Sequence, residues 1–263
     1  MDKTAITLKV KDYFKDLKFN QEEHTYKVNG KKLISVSGLI KNFIKPFETD
    51  LIATRTAKSR GIPKCEIIAQ WDKKRIDACN YGTRVHDFAE RYITHKYKLE
   101  SDLQFHSVYQ HLKEGEKLTP KEQAVIDFWN DKPGYYVPII LELKMYSEYW
   151  NYAGTADIIL LDTRDGSLVI GDYKTNEDLF KQYKNQKLLN EFSYLNDCPY
   201  NKYQLQLSFY QILLEQVGFK VSRRFLVWVQ ETVGKPLYEI YDTKDYTEQL
   251  LSYLHKKKID DSW

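Results

Sequence analysis

Apolar positions recur in two rhythms along this chain, and the change from one to the other divides it. In HTYKVNGKKLISVSGLIKNFI, apolar and polar residues alternate on either side of Asn29-Gly30, a pair suited to the left-handed backbone of a two-residue turn, so a hairpin is predicted there. Ser35 or Ser37 then caps a helix through Phe43, and Pro46 ends it. Residues 50–79 follow a helical rhythm interrupted at Gly61-Ile62-Pro63. A fresh helix is predicted in YGTRVHDFAERYITH, where Val85, Phe88, Ala89, Tyr92 and Ile93 fall at helical spacing. His86 and Glu90 lie four apart on a neighbouring stripe and face one side. Thr119 and Pro120 start a helix over 119–131, and Pro133-Gly134 stop it.

Beyond Gly134 the rhythm becomes that of strands: YYVPIILELKMYSEYW, YAGTADIILLD and SLVIGDYK, the last two joined at Asp165-Gly166. KYQLQLSFYQILLEQ then reads as a helix and RRFLVWVQ as a strand. YTEQLLSYLHKKK is a closing helix with its lysines where the macrodipole favours them. This order predicts an α/β fold, a central mixed sheet flanked by helices.

Composition narrows the function classes. Forty Lys and Arg against 37 Asp and Glu leave a net charge of +3, so no polyanion-binding character belongs to the whole surface and any nucleic-acid contact is local. The 21 Tyr, 12 Phe and 5 Trp suit base stacking and ordinary packing equally. Cys65, Cys79 and Cys198 offer no disulfide framework, as expected in a reducing cytoplasm. The amino-terminal MDKTAITLKVKDYF has no apolar core of the kind a signal peptide needs, and no run reaches the roughly 18 apolar residues of a membrane span.

The chemistry concentrates in GTADIILLDTRDGSLVIGDYKTN. Strand side chains alternate, so Asp172 and Lys174 point to one face, and the turn brings Asp157 on the partner strand opposite them. Two carboxylates and an ammonium at one end of a hairpin suit Mg²⁺- or Mn²⁺-assisted phosphodiester hydrolysis. A buried structural salt bridge explains the same residues. The triplet alone decides nothing, because Asp16-Leu17-Lys18, Asp72-Lys73-Lys74 and Asp242-Thr243-Lys244 repeat it and Glu142-Leu143-Lys144 mimics it.

The order of motifs adds more. YGTRVHDFAE, LELKMYSEYWNYAGTADIILL, GDYKTN and KYQLQLSFYQILLE follow one another as in the PD-(D/E)XK nucleases, and YKVNGKKLISVSGLI resembles the amino-terminal hairpin of phage members. The chain most resembles the RecB-like exonuclease branch, which includes many phage-encoded nucleases and a mitochondrial genome-maintenance exonuclease. The resemblance implies one nuclease domain over 1–263 with a restriction-endonuclease-like core at 132–263, an amino-terminal hairpin and helix at 1–49, and a helical insertion at 50–131. It implies a metal-dependent DNA exonuclease, active in the cytoplasm of a bacterial host if phage-encoded. The alternatives are a nucleic-acid-binding module with a decayed site and a structure-specific endonuclease.

Carried over by residue, the resemblance makes Asp157 and Asp172 the principal ligands of Mg²⁺ or Mn²⁺, with His86 and the Tyr173 backbone carbonyl as further ligands. Glu142 or Glu148 is an additional acidic candidate, and Glu90 a weaker one. Lys174 positions or activates the attacking water, Gln206 and Tyr210 support it and the DNA backbone, and Thr175 and Asn176 brace the loop. Some branches hold an iron-sulfur cluster on four cysteines; three scattered cysteines imply none here. Arg55, Lys58, Arg60, Lys64, Lys181, Lys184 and Lys187 are candidate phosphate contacts to single-stranded or duplex DNA ends, and each also suits a solvated charged face.

Overall fold

The computed structural model describes residues 2–101, 103–232 and 234–260. Its elements in chain order are α1 (Lys3–Tyr13), β1 (Lys18–Asn20), β2 (Thr25–Val28), β3 (Lys31–Ser35), α2 (Val36–Ile40), α3 (Thr49–Arg60), α4 (Lys64–Tyr97), α5 (Pro120–Asp131), β4 (Tyr136–Ser147), β5 (Tyr152–Asp162), β6 (Leu168–Lys174), α6 (Pro199–Glu215), β7 (Val221–Thr232), β8 (Lys235–Asp242) and α7 (Thr247–Asp260). Short 3₁₀ turns occupy Lys41–Phe43 and Asn190–Phe192.

The strands form one mixed sheet in the order β1-β2-β3-β5-β6-β7-β8, with β4 paired to β5 off that path. The β3–β5 and β6–β7 pairs are parallel and the others antiparallel. β4 follows β5 along its whole length, so β3 and β6 share the opposite edge of β5. β3 takes Tyr152 and Ala153 and β6 takes Ile158 to Leu161. Residues 154–157 therefore have no strand partner on that side, and this gap in the sheet is where the site is built.

Apolar residues fill both faces of the sheet. On one, Ile6 and Val10 of α1, Leu39 of α2, Leu205 and Leu213 of α6, and Leu250 and Leu254 of α7 pack against Tyr152, Ile159 and Ile170. On the other, Val85, Phe88 and Ile93 of α4 and Val125, Phe128 and Trp129 of α5 cover Ile158, Leu160, Val169 and Val227. The result is the helix–sheet–helix arrangement predicted from the sequence. Among the described residues no helix is long and apolar enough to cross a membrane.

Three local differences from the sequence reading have physical causes. The expected break near Tyr81 is absent: α4 runs unbroken for 34 residues. Gly82 sits in its interior, and a Cβ there would lie 3.3 Å from Thr175 Oγ1, so the glycine admits close approach to the loop after β6. The ends at 60–64 are as read, with Gly61 left-handed at the end of α3 and Pro63 at the start of α4. β8 was not foreseen because it is a half-exposed edge strand without a clean alternation, and α1 because it buries only Ile6 and Val10. The predicted hairpin is the last two strands of a three-stranded meander, and Ser35 is the cap of α2, accepting from the Gly38 N–H at 3.0 Å.

Candidate metal centre

Beyond the Ile158–Gly171 pair, β5 and β6 diverge, while β6 stays in register with β7 through Lys174. The β6 amide that loses its β5 carbonyl partner is that of Tyr173. Asp157 replaces the missing acceptor with its side chain: the Tyr173 N–H donates to Asp157 Oδ2 at 2.8 Å. The same oxygen lies 3.3 Å from His86 Nδ1, brought in by α4 as its apolar stripe packs on the sheet.

Glu142 stands opposite Asp157 in the β4–β5 register, between the pairs Leu141–Ile158 and Leu143–Ala156. Its backbone is left-handed, with φ 48°, a conformation that a non-glycine residue adopts at a cost of about 1–3 kcal/mol. β4 also carries an extra residue at Ile139 against β5. One potential ligand atom each from His86, Glu142 and Asp157 lie within 4.8 Å of one another. Glu148, the other acidic candidate on this segment, is exposed in the turn between β4 and β5.

Asp172 and Lys174 share a face of β6, as alternation requires, and form an ion pair in which Asp172 is 1% exposed. Apart from this pairing, Asp172 Oδ2 accepts no regular hydrogen bond. Lys174 Nζ also lies over the ring of Tyr203, 4.2 Å from its centroid. Tyr203, Gln206 and Tyr210 follow one another at three and four residues along α6 and so line one helical face. Gln206 Nε2 donates to Tyr210 Oη at 2.7 Å, and the Tyr203 hydroxyl donates to Asn176 Oδ1 at 2.8 Å. The backbone carbonyls after β6 are anchored as well: Thr175 O accepts from Lys121 Nζ at 2.7 Å and Asn176 O from Trp228 Nε1 at 2.8 Å. Tyr210 reaches the sheet gap because residue 154 is glycine: a Cβ there would meet Tyr210 Cε1 at 2.5 Å and Val36 Cγ2 at 3.0 Å.

Without a cation this cluster works against its own charge. Burial, then repulsion from Asp157, Glu90 and Asp172, raises the Glu142 carboxyl well above the usual range. Burial and the neighbouring Asp157 push Asp172 up to about 6 against the pull of Lys174. Burial disfavours the Lys174 charge, but Asp172, Tyr203 and Asp157 outweigh it and hold the ammonium above its ordinary value. Carboxylate oxygens beside one imidazole nitrogen are a donor set suited to a hard or borderline divalent cation.

The cluster opens into a cleft of about 2530 Å³. That exceeds the roughly 300–1,000 Å³ of a small-molecule pocket and suits a polymer. Of the predicted phosphate contacts, Arg55, Lys181 and Lys184 line it. Lys58 and Arg60 are exposed on the last turn of α3, outside the lining, while Lys64 is paired with Asp50 and Lys187 donates to Asn196 Oδ1 at 2.5 Å. Lys45, Lys73, Lys121 and Lys202 line the cleft and were not singled out from the sequence. Tyr203 was missed too, although its spacing from Gln206 and Tyr210 on α6 could have signalled it.

The family model described as "PD-(D/E)XK nuclease superfamily" matches residues 60–261. No curated protein matches the chain in sequence. Among solved structures, the "Putative exonuclease" of Eubacterium rectale is 15% identical, with a TM-score of 0.39 over 87% of this chain and 79% of that one. The protein SSO0001 is 12% identical, with a TM-score of 0.36 over 98% of this chain and 85% of that one.

Proposed function

This chain belongs to the PD-(D/E)XK nuclease superfamily, and we propose that it is a divalent-metal-dependent DNA exonuclease of the RecB-like branch, acting on single-stranded or frayed ends. The observation that carries this reading is the convergence of His86, Glu142 and Asp157 beside the buried Asp172–Lys174 pair, at the sheet gap and in a polymer-sized cleft. Asp157 and Asp172, with His86, Glu142 and the Tyr173 carbonyl, would hold Mg²⁺ or Mn²⁺. The ion would neutralise charge on the scissile phosphate and lower the pKa of a bound water.

The chain's own groups do the rest. Lys174, paired with Asp172 at the mouth of the metal centre, positions or activates the attacking water and steadies phosphoryl oxygens. Tyr203 and Asp172 fix where that charge sits, and Gln206 and Tyr210 brace the same wall. Arg55, Lys181 and Lys184 offer positive charge to the DNA backbone within the cleft. The likeness to phage-type members suggests work in DNA recombination, repair or degradation.

The test is digestion of end-labelled single-stranded, duplex and closed circular DNA with Mg²⁺ or Mn²⁺. Linear DNA should be shortened from its ends and circles left intact, with activity abolished by EDTA and by Lys174→Ala. Cutting of circles would make the protein an endonuclease, and no cutting by the wild type would overturn the reading.

A further inference from the structure

Large apolar side chains left in water are individually unremarkable in a folded protein, but their position here is not random. Among the described residues, the exposed large apolar side chains that line the cleft are Phe47, Leu51 and Tyr183. Phe47, 59% exposed, lies between the Lys41–Phe43 turn and α3. Its ring meets the half-buried Trp71 of α4 edge to face, with centroids 5.9 Å apart and planes at 67°. Trp71 thus supports one side of the Phe47 ring.

Tyr183, 47% exposed, lies in the segment between β6 and α6. It opens a turn in which Lys184 and Asn185 are both left-handed, at φ 49° and 53°, closed by the Gln186 N–H donating to Tyr183 O at 3.0 Å. Lys184 Nζ sits 5.3 Å from the Tyr183 ring centroid. Lys45, Arg55, Lys181 and Lys184 line the same cleft as the two rings, Lys45 two residues before Phe47 and Lys181 two before Tyr183 in the chain. The metal-centre residues His86, Glu142 and Lys174 line the same cleft.

We propose that Phe47, backed by Trp71, and Tyr183 are stacking platforms for the unpaired bases of a single strand lying in this cleft. An aromatic face binds any base, and adjacent cations take the phosphates, which is how strands are held without sequence preference. A duplex hides its base faces and gains nothing from such rings, so the platforms select single-stranded or frayed ends. This rests on the exonuclease reading and adds the part of the substrate recognised, the face of the base.

The test is equilibrium binding of the intact protein, with EDTA present to prevent cleavage, to two fluorescein-labelled probes read by anisotropy. One is a deoxythymidine oligonucleotide and the other the same sugar-phosphate chain without bases. Phe47→Ala and Tyr183→Ala should each weaken binding to the thymidine probe by about 5- to 150-fold and leave the abasic probe unchanged. Phe47→Trp should retain tight binding, whereas Phe47→Leu, apolar without an aromatic face, should behave as the alanine variant. Equal binding by wild type and alanine variants, an equal loss on both probes, or full rescue by Phe47→Leu would each overturn the proposal. If the wild type bound and degraded single strands while the substitutions did nothing, the platforms would fall and the exonuclease reading would stand. If the wild type bound neither probe yet degraded single strands with Mn²⁺, the platforms would fall and the exonuclease reading would stand; if it neither bound nor degraded them, both would fall.

Discussion

Replacing Glu142 by glutamine tests whether the cluster at the sheet gap is built for a cation. The substitution keeps size and the left-handed backbone and removes one charge. Ligand oxygens of Glu142 and Asp157 are no farther than 4.8 Å apart. At that separation and an effective dielectric constant of about 20, two negative charges repel by about 3.5 kcal/mol. Partial exposure and salt reduce this, so Glu142→Gln should stabilise the metal-free protein by about 1–3 kcal/mol, raising Tm by about 2–10 °C in a chain of this size. The pH dependence has a definite sign. The Glu142 carboxyl is raised in the folded protein, so the wild type loses stability as pH climbs from the unfolded carboxyl value through the folded one. The gain from glutamine should therefore be absent near pH 4 and largest in mildly alkaline solution. With saturating Mn²⁺ the order should reverse, because the wild type gains more from the ion than the variant does. Melts in EDTA and in Mn²⁺ across pH, with calorimetric Mn²⁺ titration, measure all three. A variant no more stable than wild type in EDTA at high pH, or one that binds Mn²⁺ equally well, would refute the reasoning.

Lys174→Met should reduce cleavage by at least about 100-fold, the scale of losing a positioned catalytic group, while calorimetry still detects Mn²⁺ binding; loss of both together would mean that Lys174 only holds the site's structure. Gly154→Ala should destabilise the protein by about 1–3 kcal/mol through overpacking, because its Cβ would sit 2.5 Å from Tyr210 Cε1. Urea unfolding checks this, and an unchanged midpoint would show that Tyr210 moves aside freely. Glu122, fully buried, is hydrogen-bonded to Arg84 at 2.9 Å and His111 at 2.7 Å and caps the start of α5 with Thr119, so Glu122→Ala should cost about 1–3 kcal/mol through the lost charge-assisted hydrogen bonds, Arg84 keeping its pairing with Glu116; a Tm within a degree of wild type would contradict that.

Much of the fold was legible because burial writes a period into the sequence. The strands at 136–174 and the helices at 81–95, 119–131 and 202–216 were found from that period alone. Where burial is slight the signal vanished, as with the edge strand β8 and the thinly packed α1. The helix break expected near Tyr81 failed for the opposite reason: a tertiary contact, Gly82 against Thr175, explains a glycine that looks local. The order of motifs singled out Asp157, Asp172, Lys174, His86, Gln206 and Tyr210 as candidates, and the structure sets His86 beside Asp157, Lys174 beside Asp172 and Gln206 beside Tyr210.

By itself the sequence determined a mixed sheet between helices and the residue types able to bind a divalent cation beside a buried ammonium. The tertiary structure decided which of them meet. The β4–β5 register sets Glu142 opposite Asp157 and leaves Glu148 in an exposed turn. The divergence of β5 from β6 turns Asp157 onto the Tyr173 amide, and helix packing brings in His86 and Tyr203. It also separated the lysines that line the cleft from those paired or facing solvent elsewhere. The physical reason is one of range: a residue's rhythm reports whether it is buried, whereas a charge cluster depends on through-space distances that only register and packing fix.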